Sequence, residues 1–270
     1  MHYLCPWRAL LLAVKCNDMR KSVVLVTGAS SGIGLGCARK FAANGYRVIL
    51  NGRNAERLAE AKAAIDADGG ETYLLPFDVC DREAVRQALE SLPGDWRDID
   101  VLVNNAGLAI GVDKEYEGNM QEWDVVIDTN VKALLYMTRL VVPGMVERGR
   151  GHVINIGSIA GDAAYGGGSV YCASKAAVKA LSDGLRIDLV DTPVRVTLVK
   201  PGLVETNFSV VRYRGDHAAA DNVYRGVRAL SGDDIAEVAY FAASMPPYMQ
   251  VAEVLVMPTR QATGTVVSRD

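Results

Sequence analysis

The sequence predicts an α/β fold, a single doubly wound parallel sheet of about seven strands with helices on both faces. Three observations predict it. Short apolar, β-branched runs recur along the chain, as in Ser22-Val-Val-Leu-Val26 and His152-Val-Ile-Asn-Ile156, and strands buried on both faces read this way. Helical segments alternate with these runs, so each strand can return parallel to the last through a crossover. A glycine-rich turn, Thr27-Gly28-Ala29-Ser30-Ser31-Gly32-Ile33-Gly34, follows the first strand and opens a helix.

The elements follow in order. Residues 22–26 form the first strand, and a helix over 34–44 is closed by Gly45 at a C′-like position. A second strand covers 46–50, and a charged amphipathic helix over 56–68 ends in Gly69-Gly70. The third strand is 72–77, with a helix over 81–92 behind it. The fourth strand is 100–103, a long helix spans 120–142, and the fifth strand is 152–156. A second long helix spans 169–190, the sixth strand is 194–199, and a short apolar run at 252–257 makes a seventh. No repeat or linker divides the chain, so residues 21–270 read as one domain. The segment 203–228 follows the last strand that carries site residues and is the expected substrate lid.

Composition narrows the function. Half of the 270 residues are hydrophobic and 23% are charged, as in an ordinary globular enzyme. Net charge is −3 with no basic stripe, so no nucleic acid partner is expected. Five cysteines are scattered without a C-x-x-C; a disulfide framework or zinc site is not expected, and a reducing, cytoplasmic setting fits. His2, His152 and His217 share no metal-ligand spacing and are expected at the surface or in loops, with no metal bound. In the first twenty residues, Arg8-Ala-Leu-Leu-Leu-Ala-Val14 is far shorter than the ~20 residues of a membrane span, and no small-residue cleavage site follows it. Residues 1–20 are therefore read as a frayed leader, or as sequence ahead of a functional start at Met19, and no membrane partner is expected.

The glycine turn has the form Gly-x-x-x-Gly-x-Gly. Its glycines let backbone approach a pyrophosphate, and the helix N-terminus behind it offers free N–H groups and partial positive charge. Gly28, Ser30, Ser31, Gly32, Ile33 and Gly34 are the expected phosphate-side residues. The residues after the second strand choose the cofactor. A carboxylate there would bind the ribose hydroxyls and repel a 2′-phosphate. Here Arg53 and Asn54 stand in Asn51-Gly-Arg-Asn54, and the guanidinium fork suits a phosphate, so NADP is expected over NAD. Asp78 and Val79 end the third strand, where a carboxylate can accept from the adenine amino group. Asn105, in Asn104-Asn-Ala-Gly107, follows the fourth strand, where ligands of open sheets bind.

Chemistry is carried by Tyr171-Cys-Ala-Ser-Lys175. Four residues apart on a helix, the phenol and ammonium share a face, and a nearby cation is expected to acidify a phenol whose ordinary pKa is ~10. Tyr171 is then the proton donor and acceptor. Ser158, thirteen residues upstream and just past the fifth strand, can hydrogen-bond the substrate oxygen where charge develops. Asn130 lies where helix disfavours an amide, and is expected to hold a water that relays protons to Lys175. Arg212 and Arg214 in the lid are candidates for clamping a substrate carboxylate; plain solvated lid charges are the competing reading.

On these residues the chain resembles the short-chain dehydrogenase/reductase family over nearly all of residues 21–258. The resemblance rests on the glycine turn, Asn104-Asn-Ala-Gly107, Asn130, Ser158, Tyr171-x-x-x-Lys175 and Pro201-Gly202, in the family's order and spacing. It implies a Rossmann-type seven-stranded sheet and an Asn130–Ser158–Tyr171–Lys175 tetrad. It also implies that Lys175 binds the nicotinamide ribose, that Pro201, Gly202, Val204 and Thr206 line the nicotinamide half, and that the long helices build a homodimer or homotetramer. A narrower resemblance, through Ser91-Leu-Pro-Gly-Asp-Trp96, Gly107-Leu-Ala-Ile-Gly111, Tyr136-Met-Thr-Arg139, Pro143-Gly-Met-Val-Glu-Arg148 and Val211-Arg-Tyr-Arg-Gly-Asp216, is to the NADP-dependent 3-hydroxy acid dehydrogenase branch. That branch is similar to bacterial enzymes oxidising serine and allo-threonine, and 3-hydroxypropionate is a further candidate substrate. The chain departs from the branch at Asn54, where a second arginine is common, and at Asp162-Ala-Ala, where bulkier residues are common. Two alternatives stay open: a reductase of ketones, sugars or acyl-thioesters, and a non-catalytic NADP-binding regulator.

Overall fold

The computed structural model describes residues 20–270; the leader apart from Arg20, with His2, lies outside the described residues. Seven strands form one parallel sheet in the order β3-β2-β1-β4-β5-β6-β7. They are β1 (Val23–Val26), β2 (Arg47–Gly52), β3 (Glu71–Pro76), β4 (Ile99–Asn104), β5 (Gly151–Ile156), β6 (Val194–Pro201) and β7 (Glu253–Val256). The order reverses between β1 and β4, which opens a crevice at the carboxyl ends of those two strands. The fold is the doubly wound sheet that the alternation predicts.

Period-two alternation sorts the strand residues into two cores. Val24 and Val26 face one layer with Val48, Leu50, Val101 and Val103, and Val23 and Leu25 face the other with Ile49, Leu102 and Val153. The first layer is covered by α1 (Gly32–Ala43), α2 (Ala55–Ala67) and, further along the chain, a helix over Gly232–Ser244. The second is covered by α3 (Arg82–Glu90), by α5 (Ala133–Glu147), which continues α4 (Met120–Ile127), and by Trp96 in a single helical turn. Two small lid helices, α7 (Phe208–Arg212) and α8 (His217–Asn222), follow the long α6 (Ser169–Asp188) and precede α9 (Gly232–Ser244). Burying a large side chain such as Phe41 or Leu102 stabilises the fold by roughly 1.5–3 kcal/mol each, and both are fully buried.

Local chemistry sets the helix starts. Asn54 caps α2 by accepting from Arg57 N (2.9 Å), Asp81 caps α3, and Ser231 with Asp234 forms a capping box on α9. Helices α1 and α9 pack backbone against backbone. A Cβ on Gly36 would come within 2.7 Å of the Gly232 carbonyl oxygen, so neither helix tolerates a side chain there. Arg20 belongs with the domain: its guanidinium binds both oxygens of Asp100 at 2.9 Å, and Asp100 also accepts from Val23 N.

Three expectations are corrected. The helix from 120 does not stop at 142 but runs to Glu147, because Pro143 lies on its exposed face and the carbonyl it frees can take a water. That same helix is not regular: residues Asp128–Lys132 form a π turn around Asn130. His152 is neither at the surface nor in a loop. It lies inside β5, 2% exposed, and its Nε2 meets Thr197 Oγ1 at 2.8 Å. His217 is exposed at the start of α8.

Candidate active site

One cleft of about 880 Å³ runs along the carboxyl ends of the strands. Its floor is the turn between β1 and α1. Gly28 adopts φ +65°, a conformation that penalises a side chain. Thr27 Oγ1 accepts from Asn105 N (2.9 Å) and Ala106 N (3.0 Å), and Asn105 Nδ2 donates to the Thr27 carbonyl (2.8 Å). Gly28, Ser30, Ser31, Gly32 and Ile33 line the cleft, with the N-terminus of α1 behind them. Gly34 does not line it. A Cβ on Gly34 would run into the Gly28 carbonyl, so its role is to let α1 close on the turn.

At one end of the cleft stand Arg53, Asn54, Asp78, Val79 and Asn105. Arg53 is largely exposed, 3.8 Å from the Asp78 carboxylate. Asp78 also accepts from Cys80 N at 2.9 Å. Asn54 is committed to capping α2. Arg57, in the first turn of α2, lines the same end, and no sequence motif singles it out. Its place in that turn, directly behind the cap at Asn54, is the one signal that could have found it.

At the other end Ser158, Tyr171, Lys175, Pro201, Gly202, Val204 and Thr206 line the cleft. Lys175 is 6% exposed and donates to the Ile156 carbonyl at 2.9 Å, leaving two ammonium hydrogens. Its Nζ lies 6.0 Å from the Tyr171 ring centre, so both share the face that their spacing predicts. Ser158 opens a 3₁₀ turn, Ile159–Gly161, and accepts from Ala160 N at 3.1 Å. Asn130 is buried and does not line the cleft. Its amide donates to the Leu108 carbonyl (2.8 Å) and Ser174 Oγ (2.9 Å) and accepts from Leu108 N (2.8 Å). The side chain therefore fixes the loop after β4 rather than standing free to hold a water.

The electrostatics also differ from expectation. Burial pushes the Tyr171 phenol above its ordinary value, and its hydrogen bond with Ser158 opposes this only in part. Burial likewise pulls the Lys175 ammonium down to about 8. In the chain alone, loss of water around the phenol outweighs both the Ser158 hydrogen bond and the pull of the Arg212 guanidinium.

The substrate side has two walls. The lid places Phe208, Val211 and Arg212 on the cleft. Arg212 donates to Tyr165 Oη (2.9 Å) and the Gly167 carbonyl (3.2 Å), while its Nε is buried without a partner. Arg214 is placed elsewhere. Its guanidinium binds Glu122 (2.8 Å) and Asp113 and does not line the cleft, so it ties the lid to α4 and is not available as a carboxylate clamp. The second wall, the tail after β7, carries no motif. Gln261 accepts from Leu203 N (2.8 Å), Arg269 donates to the Arg225 and Val223 carbonyls, and Thr265 and Val267 line the cleft. Among the described residues no group of three or more His, Cys, Asp or Glu is placed to hold a metal ion, and no helix is long and apolar enough to cross a membrane.

The residues present fit a dinucleotide. The phosphate-side turn brings the backbone of Gly28 and Gly32 to the cleft at a helix start. A Cβ on Gly107 would come within 3.4 Å of Lys175 Nζ, so the loop beside the ammonium is bare. Comparison with known proteins agrees with this geometry. The family described as short chain dehydrogenase matches residues 22–215. An NADP-dependent 3-hydroxy acid dehydrogenase of Salmonella typhi is 48% identical over 241 residues, covering 89% of this chain and 96% of that protein. Sulfoacetaldehyde reductase 2 of Chromohalobacter salexigens is 42% identical, covering 92% and 99%. The closed form of a serine dehydrogenase complexed with NADP+ superposes with TM-score 0.87 at 44% identity, over 92% of this chain and 99% of that one.

Proposed function

Because this chain belongs to the short chain dehydrogenase family, we propose that it is an NADP-dependent oxidoreductase acting on the CH–OH or C=O carbon of a small 3-hydroxy acid, such as serine, allo-threonine or 3-hydroxypropionate. One observation carries the substrate class: Arg212 lines the cleft that holds Ser158, Tyr171 and Lys175, and Tyr165 and Gly167 take only one hydrogen from each of its two terminal nitrogens. A planar guanidinium held in this way suits a carboxylate.

When bound, the nicotinamide supplies or accepts the hydride. The glycine turn and the α1 N-terminus would hold the pyrophosphate, and Arg53 with Arg57 the 2′-phosphate. Lys175 would use its two spare hydrogens on the nicotinamide ribose. Ser158 donates to the substrate oxygen as charge builds there. Tyr171 Oη takes the hydroxyl proton in oxidation and returns it in reduction. Asn130 keeps the loop at Gly107–Leu108 in register with Lys175.

The sulfoacetaldehyde reductase similarity favours a second substrate, a sulfonate, which a guanidinium binds equally well. A screen of NADP+ reduction with L-serine, L-allo-threonine, 3-hydroxypropionate and isethionate, beside neutral alcohols, tests both. Turnover of the anionic substrates, with loss on Arg212→Gln, is expected. Turnover of neutral ketones, sugars or thioesters alone would reject the acid reading. Tyr171→Phe as active as wild type would overturn the role of Tyr171 as proton donor and acceptor, whereas NADPH binding without turnover of any of these substrates would point to a non-catalytic NADP-binding regulator.

We also infer a homo-oligomer, dimer or tetramer, through the long helices. Leu135, Leu140 and Val146 on α5 and Ile187 on α6 are exposed apolar side chains in the single chain, which supports burial against another copy. Light scattering on the purified protein gives the state. Cys37, Cys80 and Cys172 are free thiols, which supports a reducing, cytoplasmic setting.

A further inference from the structure

The buried ammonium of Lys200 has no part in the chemistry above. It stands near the carboxyl end of β6, one residue before Pro201, and is 5% exposed. Its Nζ meets both oxygens of Asp162, at 3.0 and 2.8 Å, and a carboxylate oxygen of Glu253 on β7. Asp162 ends the 3₁₀ turn that Ser158 begins. Gly157 N donates to the Val199 carbonyl (2.8 Å), but the turn beyond it is held mainly by its own short-range bonds, Gly161 N to Ser158 O and Asp162 N to Ile159 O, both 3.0 Å. On its far side Gly161 lies against the Lys175 main chain, where a Cβ would come within 2.7 Å of the carbonyl oxygen. The Ser158 turn is thus gripped between the α6 backbone and the Lys200 ammonium.

We propose that Asp162 and Lys200 are positioning residues that set the Ser158 hydroxyl against Tyr171, by tying the turn after β5 to the strand that leads into Pro201-Gly202. Small misplacements of a reacting group cost large factors in rate. A buried ammonium that holds both oxygens of a carboxylate adds a charged tie to the local turn bonds. The pair also couples two walls of the cleft, since Ser158 and Pro201 both line it.

The proposal rests on Ser158 acting in the reaction, and the test separates the two. Asp162→Asn leaves Lys200 paired with Glu253, so no buried charge is stranded. In the full-length protein with NADP+ and L-serine, Asp162→Asn is expected to lower kcat about tenfold while the NADPH dissociation constant stays within about twofold. Combined with Ser158→Ala it is expected to add no further loss, because its effect runs through that hydroxyl. Amide exchange of residues 157–163 is expected to speed up about tenfold, with residues 27–34 unchanged. Multiplicative losses in the double variant, or unchanged exchange over 157–163, would overturn the proposal. A Ser158→Ala enzyme with wild-type kcat would overturn the reading of Ser158 instead, and the exchange measurement would still decide whether the pair holds the turn.

Discussion

Arg212 donates to the Tyr165 hydroxyl across 2.9 Å, and so joins the lid helix α7 to the loop before α6. The bond aims one edge of the guanidinium while the Gly167 carbonyl holds another. Tyr165→Phe removes the acceptor and leaves the ring, and a lost hydrogen bond to a charged group is worth about 1.5–3 kcal/mol. The KM for a hydroxy acid is expected to rise at least roughly tenfold at little-changed kcat, with turnover of neutral alcohols unaffected. Steady-state kinetics with an acidic and a neutral substrate check it; equal losses on both would reject the anchor role.

Arg53, just before the cap of α2, and Arg57, in its first turn, face the same end of the cleft. Removing either is expected to weaken NADPH binding roughly ten- to hundredfold, at about 1.5–3 kcal/mol per charged contact. Binding of NADH, which has no 2′-phosphate, should hardly change. Rising ionic strength should weaken NADPH binding in the wild type and less so in the variants. Fluorescence titration of both nucleotides reads the difference, and an unaltered NADPH affinity in Arg57→Ala would remove that residue from the site.

Much of this was legible from residue order, because strand ends and glycine turns carry strong local signatures. The β1–α1 turn, Ser158 and the Tyr171–Lys175 spacing all announce themselves within a few residues, and all of them line one cleft. What was not legible depends on partners distant in sequence. Arg214 reads as a free lid cation until Glu122 and Asp113 meet it across about a hundred residues. Gln261 has no periodicity around it, and its role exists only because Leu203 N points at it. The π turn at Asn130 is invisible because no helix breaker lies nearby, and the partner that its side chain meets is the Leu108 backbone in the loop after β4.

The Ser158 hydroxyl lowers the Tyr171 pKa against a larger upward push from burial. Ser158→Ala removes the lowering contribution, so the phenol titrates higher still. Oxidation needs the phenolate, so the rising limb of kcat/KM against pH should move to the alkaline side. A hydrogen bond of about 1 kcal/mol corresponds to roughly one pH unit. Reduction needs the protonated phenol, and its profile near neutral pH should not move. An oxidation limb at the same pH in both proteins would show that the hydroxyl does not act on the phenol.

His152 ties acid stability to a single buried ring. Thr197 Oγ1 donates to the Val251 carbonyl at 2.6 Å, so it accepts from His152 Nε2–H, and the bare Nδ1 is buried without a partner. Burial, with Arg195 nearby, lowers the folded-state pKa from its ordinary 6.5 to about 3. The unfolded chain takes up this proton below about 6.5 while the folded chain refuses it until about 3. Stability from this group is therefore fully present above about 6.5 and is lost as pH falls through that window, at up to roughly 1.4 kcal/mol per unit. His152→Gln keeps a donor for Thr197 but has nothing to titrate. The stability gap between wild type and this variant should be constant above pH 7 and shrink, in favour of the variant, towards pH 4. Urea midpoints across that range measure it, and a gap independent of pH would mean that the ring takes up its proton in the folded protein as readily as in the unfolded one.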